Sequence, residues 1–186
     1  MTEETKPANP APLGLMAFGM TTVLLNLYNA GILSGSLGMI MGMGIFYGGL
    51  AQVLAGAMEY RNGNMFGMTA FTSYGFFWIS LVAILVLPGL GLAEAVPASA
   101  MAAYLAMWGV FTAMMYVGTM KLNKSLQVVF LTLTILFFLL AIADATGSEL
   151  IKTIAGFEGL ICGFSAVYTS SGIILNDLYK KTVLPL

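Results

Sequence analysis

Six apolar runs separated by short polar breakers govern what this chain can become. They cover residues 13–30, 37–58, 65–87, 100–120, 126–143 and 151–175, each near the roughly 20 residues that carry a helix across a bilayer. Between them stand only "GILSGS", "EYRNGN", "PGLGLAEAVPAS", "KLNKS" and "DATGSE". Connections this short lay neighbouring spans antiparallel and leave no room for a separate soluble domain. The expected fold is therefore an all-α membrane protein, a six-transmembrane-helix bundle over 13–175. A polar N-terminal segment, 1–12, precedes it, and a short tail, 176–186, follows.

Charge supports this and supplies a direction. Only 8% of residues are charged against 59% hydrophobic, whereas a soluble domain carries roughly 25% charged residues. Lys6, Arg61, Lys121, Lys124, Lys180 and Lys181 fall on one side of the spans and only Lys152 on the other. Basic residues stay in the cytoplasm, so both termini are expected there, as an even number of spans also requires. Glu3 and Glu4 make the N-terminus unlike the positive start of a cleavable signal peptide. The two halves share a three-span pattern without a convincing residue match.

The same inventory excludes functions. A net charge of −1 offers no basic face for nucleic acid. A single cysteine, Cys162, permits no intramolecular disulfide and no cysteine-based metal cluster. The chain has no histidine, which removes the usual metal ligand and acid–base catalyst. No Ser–His–Asp set, zinc spacing or phosphate-cradling glycine loop is present, and the two aspartates, Asp144 and Asp177, lie at span ends. An enzyme is not expected, and no cofactor is implied.

Polar side chains inside the spans are the candidates for function, because in hydrocarbon they turn to the bundle interior or to a water-filled cavity. Thr22, Asn26 and Asn29 recur at helical spacing on the first span, with Phe18 one turn earlier on the same face. Thr69, Thr72, Ser73 and Ser80 form a similar stripe on the third. Gln52 stands alone on the second, near Gly48 and Gly56. These groups either line a path or bond neighbouring helices at about 0.6 kcal/mol each. The pairs Gly38/Gly42, Gly44/Gly48 and Gly159/Gly163 are small-residue motifs for close helix packing, with Ala155 extending the last. Glu158 sits about two turns into the sixth span. It is either a proton-linked group or a carboxyl near the external headgroups. Glu59 and Asp144, at span ends, are expected to be interfacial.

The entry to the first span, "NPAPLGL", invites two readings. Asn9 can cap the helix, with Pro10 and Pro12 suiting a first turn whose N–H groups lack intrahelical acceptors. The motif then simply starts a helix. Alternatively the free N–H groups of Ala11 and Leu13, with the helix dipole, hold a carboxylate at the cytoplasmic mouth.

"NPAPLGL", followed by "FGMTTVLLNLYNAG", "GIFYGGLAQVLAG", "EYRNGNMFGMTAFTSYGFFW", "LAMWGVFT", "GLICGFSAVY" and "TVLPL", resembles the acetate uptake transporter family, also called Gpr1/Fun34/YaaH, along the whole chain. The resemblance implies transport of acetate, and more weakly of other short monocarboxylates or succinate, across the cytoplasmic (inner) membrane of a bacterium. It also implies a ring of identical protomers, a homohexamer, with a substrate path through each. Its narrow part falls on Phe18, Tyr74 and Leu133, with Ala166 beside it on the sixth span. Tyr28 and Glu158 depart from the family's pattern. Asn9, Thr22, Asn26, Asn29, Gln52, Thr69, Thr72 and Ser73 are the substrate-binding candidates, and Tyr74 is expected to offer a hydroxyl at the constriction. The implied partners are a small carboxylate, the lipid bilayer and further copies of the chain. Two other functions compete: a non-transporting structural or signalling oligomer, and a channel for a neutral solute such as urea or ammonia.

Overall fold

A computed structural model of the chain describes residues 7–186. Residues 1–6, Glu3, Glu4 and Lys6 among them, lie outside the described residues. The spans fold as α1 (Ala11–Asn29), α2 (Leu37–Arg61), α3 (Met65–Val86), α4 (Ala98–Thr119), α5 (Lys124–Thr146) and α6 (Glu149–Tyr179). All six are long and apolar enough to cross a membrane. Short polar residues start several of them: Asn64 Oδ1 accepts from Gly67 N (3.0 Å), and Asn123 Oδ1 from Leu126 N (2.9 Å). Gly147 ends α5 with φ 65°, a left-handed turn that only glycine adopts without strain.

Two helices differ from the apolar runs. The helix α6 has 31 residues and passes Leu175 to reach Tyr179. Asn176 and Asp177 end the apolar run without breaking the helix, which continues to Tyr179 and is closed by Lys180 in a left-handed conformation (φ 52°). The tail then folds back along α6, where Asn176 Nδ2 donates to Leu184 O (2.8 Å) and Tyr168 donates to Pro185 O (2.9 Å). In the middle of α2, residues Phe46–Ala51 form a π-helical segment. Such a turn inserts one extra residue and shifts the phase of everything after it.

Packing is closest between α1 and α6. A Cβ on Gly163 would stand 2.9 Å from Gly19 O, and one on Gly19 would stand 2.8 Å from Gly163 O. Gly156 presses on the backbone of Ala30 and Gly159 on the side chain of Asn26. Of the other pairs, Gly44 and Gly48 pack against Val82, Trp78 and Thr21, while Gly38 and Gly42 face open space. Hairpins α2–α3, α4–α5 and α5–α6 complete the bundle. The backbones of α3 and α4 make few close approaches, and aromatic side chains fill the interval.

Glu59 lies two residues from the end of α2, at the span end as the sequence indicates, but its side chain is buried against α3, where its Oε2 accepts from Asn64 Nδ2 at 2.9 Å. It lies against Gly67 in the first turn of α3, where a helix N-terminus favours negative charge.

Candidate functional site

Four helices bring their side chains to one small void in the bundle core. Phe18 from α1, Gln52 from α2, Phe71 and Tyr74 from α3, and Phe130 and Leu133 from α5 line about 20 Å³. One water needs roughly 10–15 Å³ of such volume, so the space is too small for any carboxylic acid. The three aromatic and aliphatic residues singled out on the sequence thus meet at one narrow point. Phe18 and Tyr74 stand with ring centroids 6.1 Å apart. Ala166 is fully buried on α6 within the same core but is not on the wall of the void.

Tyr74 does not offer its proton to the void. The hydroxyl donates to Thr112 Oγ1 of α4 (2.9 Å), and Thr112 donates in turn to Trp108 O (2.7 Å). Tyr74 therefore meets the void as an aromatic wall. Gln52 is the polar exception. It is 1% exposed, and its Oε1 has no hydrogen-bond partner among the described residues.

On α1, Thr22 stands one turn after Phe18, buried, with its hydroxyl likewise unpartnered among the described residues. Asn26 is engaged within its own helix. Its Nδ2 donates to Thr22 O (2.9 Å), and its Oδ1 accepts from half-buried Asn29 (3.2 Å). With Gly159 of α6 against its amide, Asn26 lies in the α1–α6 interface. The hydroxyls of α3 diverge. Thr72 lies against Gly56 of α2, Ser73 borders a groove toward α4, and Ser80 bonds Tyr104 of α4 (2.7 Å). Thr69 is half-buried. The spacing on α3 is helical, but the hydroxyls spread over two interfaces because they do not fall on one narrow face.

At the start of α1, Asn9 Oδ1 accepts from Ala11 N at 3.0 Å. One of the two N–H groups expected to be free for an anion is therefore already satisfied. Pro10 is the N-cap and Pro12 lies in the first turn, its carbonyl accepting from Ser170 of α6 (2.7 Å). Glu158 is half-buried on α6, one turn before Cys162. Neither of its carboxyl oxygens has a partner among the described residues.

Sequence reasoning missed Thr112. A threonine on an apolar span carries no distinguishing signal, and its partner lies 38 residues away.

The comparisons with known proteins point to one family of membrane transport proteins. A model of the GPR1/FUN34/yaaH family matches residues 1–184. The chain is 57% identical over 182 residues to the succinate-acetate/proton symporter SatP of Escherichia coli (strain K12), covering 98% of this chain and 96% of that one. It is 38% identical over 172 residues to ammonia transport outward protein 2 of Saccharomyces cerevisiae, covering 89% of this chain and 61% of that one. A solved structure of the bacterial acetate channel SatP superposes with a TM-score of 0.95 at 56% identity, covering 97% of this chain and 99% of that chain.

Proposed function

This chain belongs to the GPR1/FUN34/yaaH family, and we infer that it carries acetate, with succinate as a further substrate, across the inner membrane of a bacterium. The observation that carries the reading is the convergence of Phe18, Tyr74 and Leu133 on a single apolar closure. Burying an unpaired carboxylate costs far more than burying a neutral acid. A closure with one polar wall residue, Gln52, therefore favours small acids in their protonated, less charged forms, succinate included, and resists bulky solutes. Ala166, buried beside this core, sets the packing behind the path. Gln52 is the polar side chain on its wall, and Thr22 stands one helical turn from Phe18. Both termini face the cytoplasm, and protomers assemble as a hexameric ring, each with its own path.

A proton that crosses with acetate travels on the acid itself or on a protein carboxyl. Glu158 is the intramembrane carboxyl available for the second route. A second substrate class has one observation behind it, the yeast relative named for ammonia transport. A neutral solute fits the same apolar closure.

Labelled-acetate uptake into proteoliposomes decides the matter. Empty liposomes run alongside, because acetic acid crosses lipid unaided. The expected result is equilibration well ahead of the empty vesicles, slowed by competing succinate. Uptake no faster than the empty vesicles overturns acetate transport, and indifference to competing carboxylates moves the assignment to a neutral solute. Accumulation above the passive distribution under an imposed pH gradient makes Glu158→Gln the next variant. Leu133→Ala is expected to raise the lactate-to-acetate flux ratio, by up to about tenfold for the space of one lost side chain. An unchanged ratio displaces the constriction from Leu133.

A further inference from the structure

We propose that Thr112, on α4, is a specificity-determining positioning residue for the constriction. It acts by holding the Tyr74 ring and keeping the phenol proton out of the path. The inference rests on the transport reading above.

Three observations converge on it. Thr112 is fully buried, and it accepts the Tyr74 proton at 2.9 Å while giving its own to Trp108 O at 2.7 Å. With its proton committed to a backbone carbonyl, the threonine oxygen is left as an acceptor, which fixes the direction of the Tyr74 bond. The link also spans α3 and α4, whose backbones approach little, so side-chain contacts and not backbone packing set where the ring stands. On the α4 side the Tyr74 ring leans on Phe111 (5.5 Å) and Trp108 (6.2 Å), and on the path side it faces Phe18 and Phe130 (6.1 Å each). Aromatic contacts allow a ring to slide and tilt, while a hydrogen bond fixes the end of the lever.

Removing the threonine hydroxyl leaves a buried phenol proton without its acceptor. That is costly enough to make the ring seek another one. The width of the closure then changes, and so does the chemistry it shows a passing acid.

The test is the lactate-to-acetate flux ratio in proteoliposomes for Thr112→Val, Thr112→Ser, Tyr74→Phe and the double variant Tyr74→Phe/Thr112→Val. Valine keeps the shape of threonine and removes the hydroxyl; serine keeps the hydroxyl. Thr112→Val and Tyr74→Phe are each expected to shift the ratio by roughly fivefold, the scale of one neutral hydrogen bond. Thr112→Ser should hold the parent ratio, and the double variant should move no further than either single change. Tyr74→Phe breaks the same bond from the other end and stays readable should Thr112→Val fail to fold. A parent ratio in a folded Thr112→Val or in Tyr74→Phe overturns the assignment. A shift in Thr112→Ser equal to that of Thr112→Val does so too, since side-chain shape would then be the cause. Absence of acetate flux in the unaltered protein defeats the transport reading itself, and this assignment with it. Flux there with unchanged variants defeats the assignment alone.

Discussion

Gln52 places an amide where the bundle is otherwise apolar, and an unpartnered buried oxygen costs on the order of 1–3 kcal/mol. A residue that merely filled the core would be better as leucine. Gln52→Leu is therefore expected to keep or raise the thermal stability of the purified protein, by about 1 kcal/mol, while lowering acetate flux at least roughly tenfold if the amide steadies the substrate. Melting and proteoliposome uptake read the two effects separately. Stability and flux falling together would assign the amide to structure. Gln52 is conspicuous in the sequence as a lone amide, but its direction is not. Asn26 shows the converse: it lies on the face of Phe18, yet Thr22 O, Asn29 and Gly159 occupy it. A side-chain period reveals a face. Which neighbour claims a polar group on that face depends on distant residues, as Tyr74 and Thr112 do.

At the scale of helices, the spans were legible because each apolar run is long and its breakers are sharp, with ends moving by only a few residues. The π-helical segment Phe46–Ala51 was not, because one extra residue in a turn leaves the run equally apolar and changes only its phase. The glycine pairs show the same limit. Gly38/Gly42 and Gly159/Gly163 have identical spacing, but only the second lies against another helix in the protomer. This yields a paired expectation. Gly163→Ala sets a methyl 2.9 Å from Gly19 O and Val23 N, backbone atoms that cannot turn aside, so α1 and α6 must part. The cost is about 1–3 kcal/mol. Gly38→Ala meets nothing within 4 Å and should leave the melting of the protomer within about 0.5 kcal/mol. Thermal denaturation in one detergent compares them. Equal losses would mean that copies of the chain pack on Gly38 as tightly as α6 packs on α1.

The molecule as a whole turns large apolar side chains outward on every side, among them Phe46 on α2, Met107 and Val117 on α4, and Ile161 and Phe164 on α6. A surface of this kind is covered by lipid tails or by other protomers, and it carries no information about which end faces the cytoplasm. Direction rests on the basic residues, clustered at Arg61, Lys121, Lys124, Lys180 and Lys181 against the lone Lys152 among the described residues. The chain offers a clean way to test it, since its single cysteine, Cys162, is fully buried and should react slowly with a maleimide. A cysteine placed at Glu94, in the exposed connection between α3 and α4, or at Lys181, in the exposed tail, is then the reactive thiol. In intact cells a membrane-impermeant maleimide is expected to label Glu94→Cys and spare Lys181→Cys until the membrane is opened. The reverse pattern would invert the bundle and put the "NPAPLGL" start of α1 outside. Labelling of both in intact cells would mean dual insertion, which a six-to-one bias of basic residues argues against.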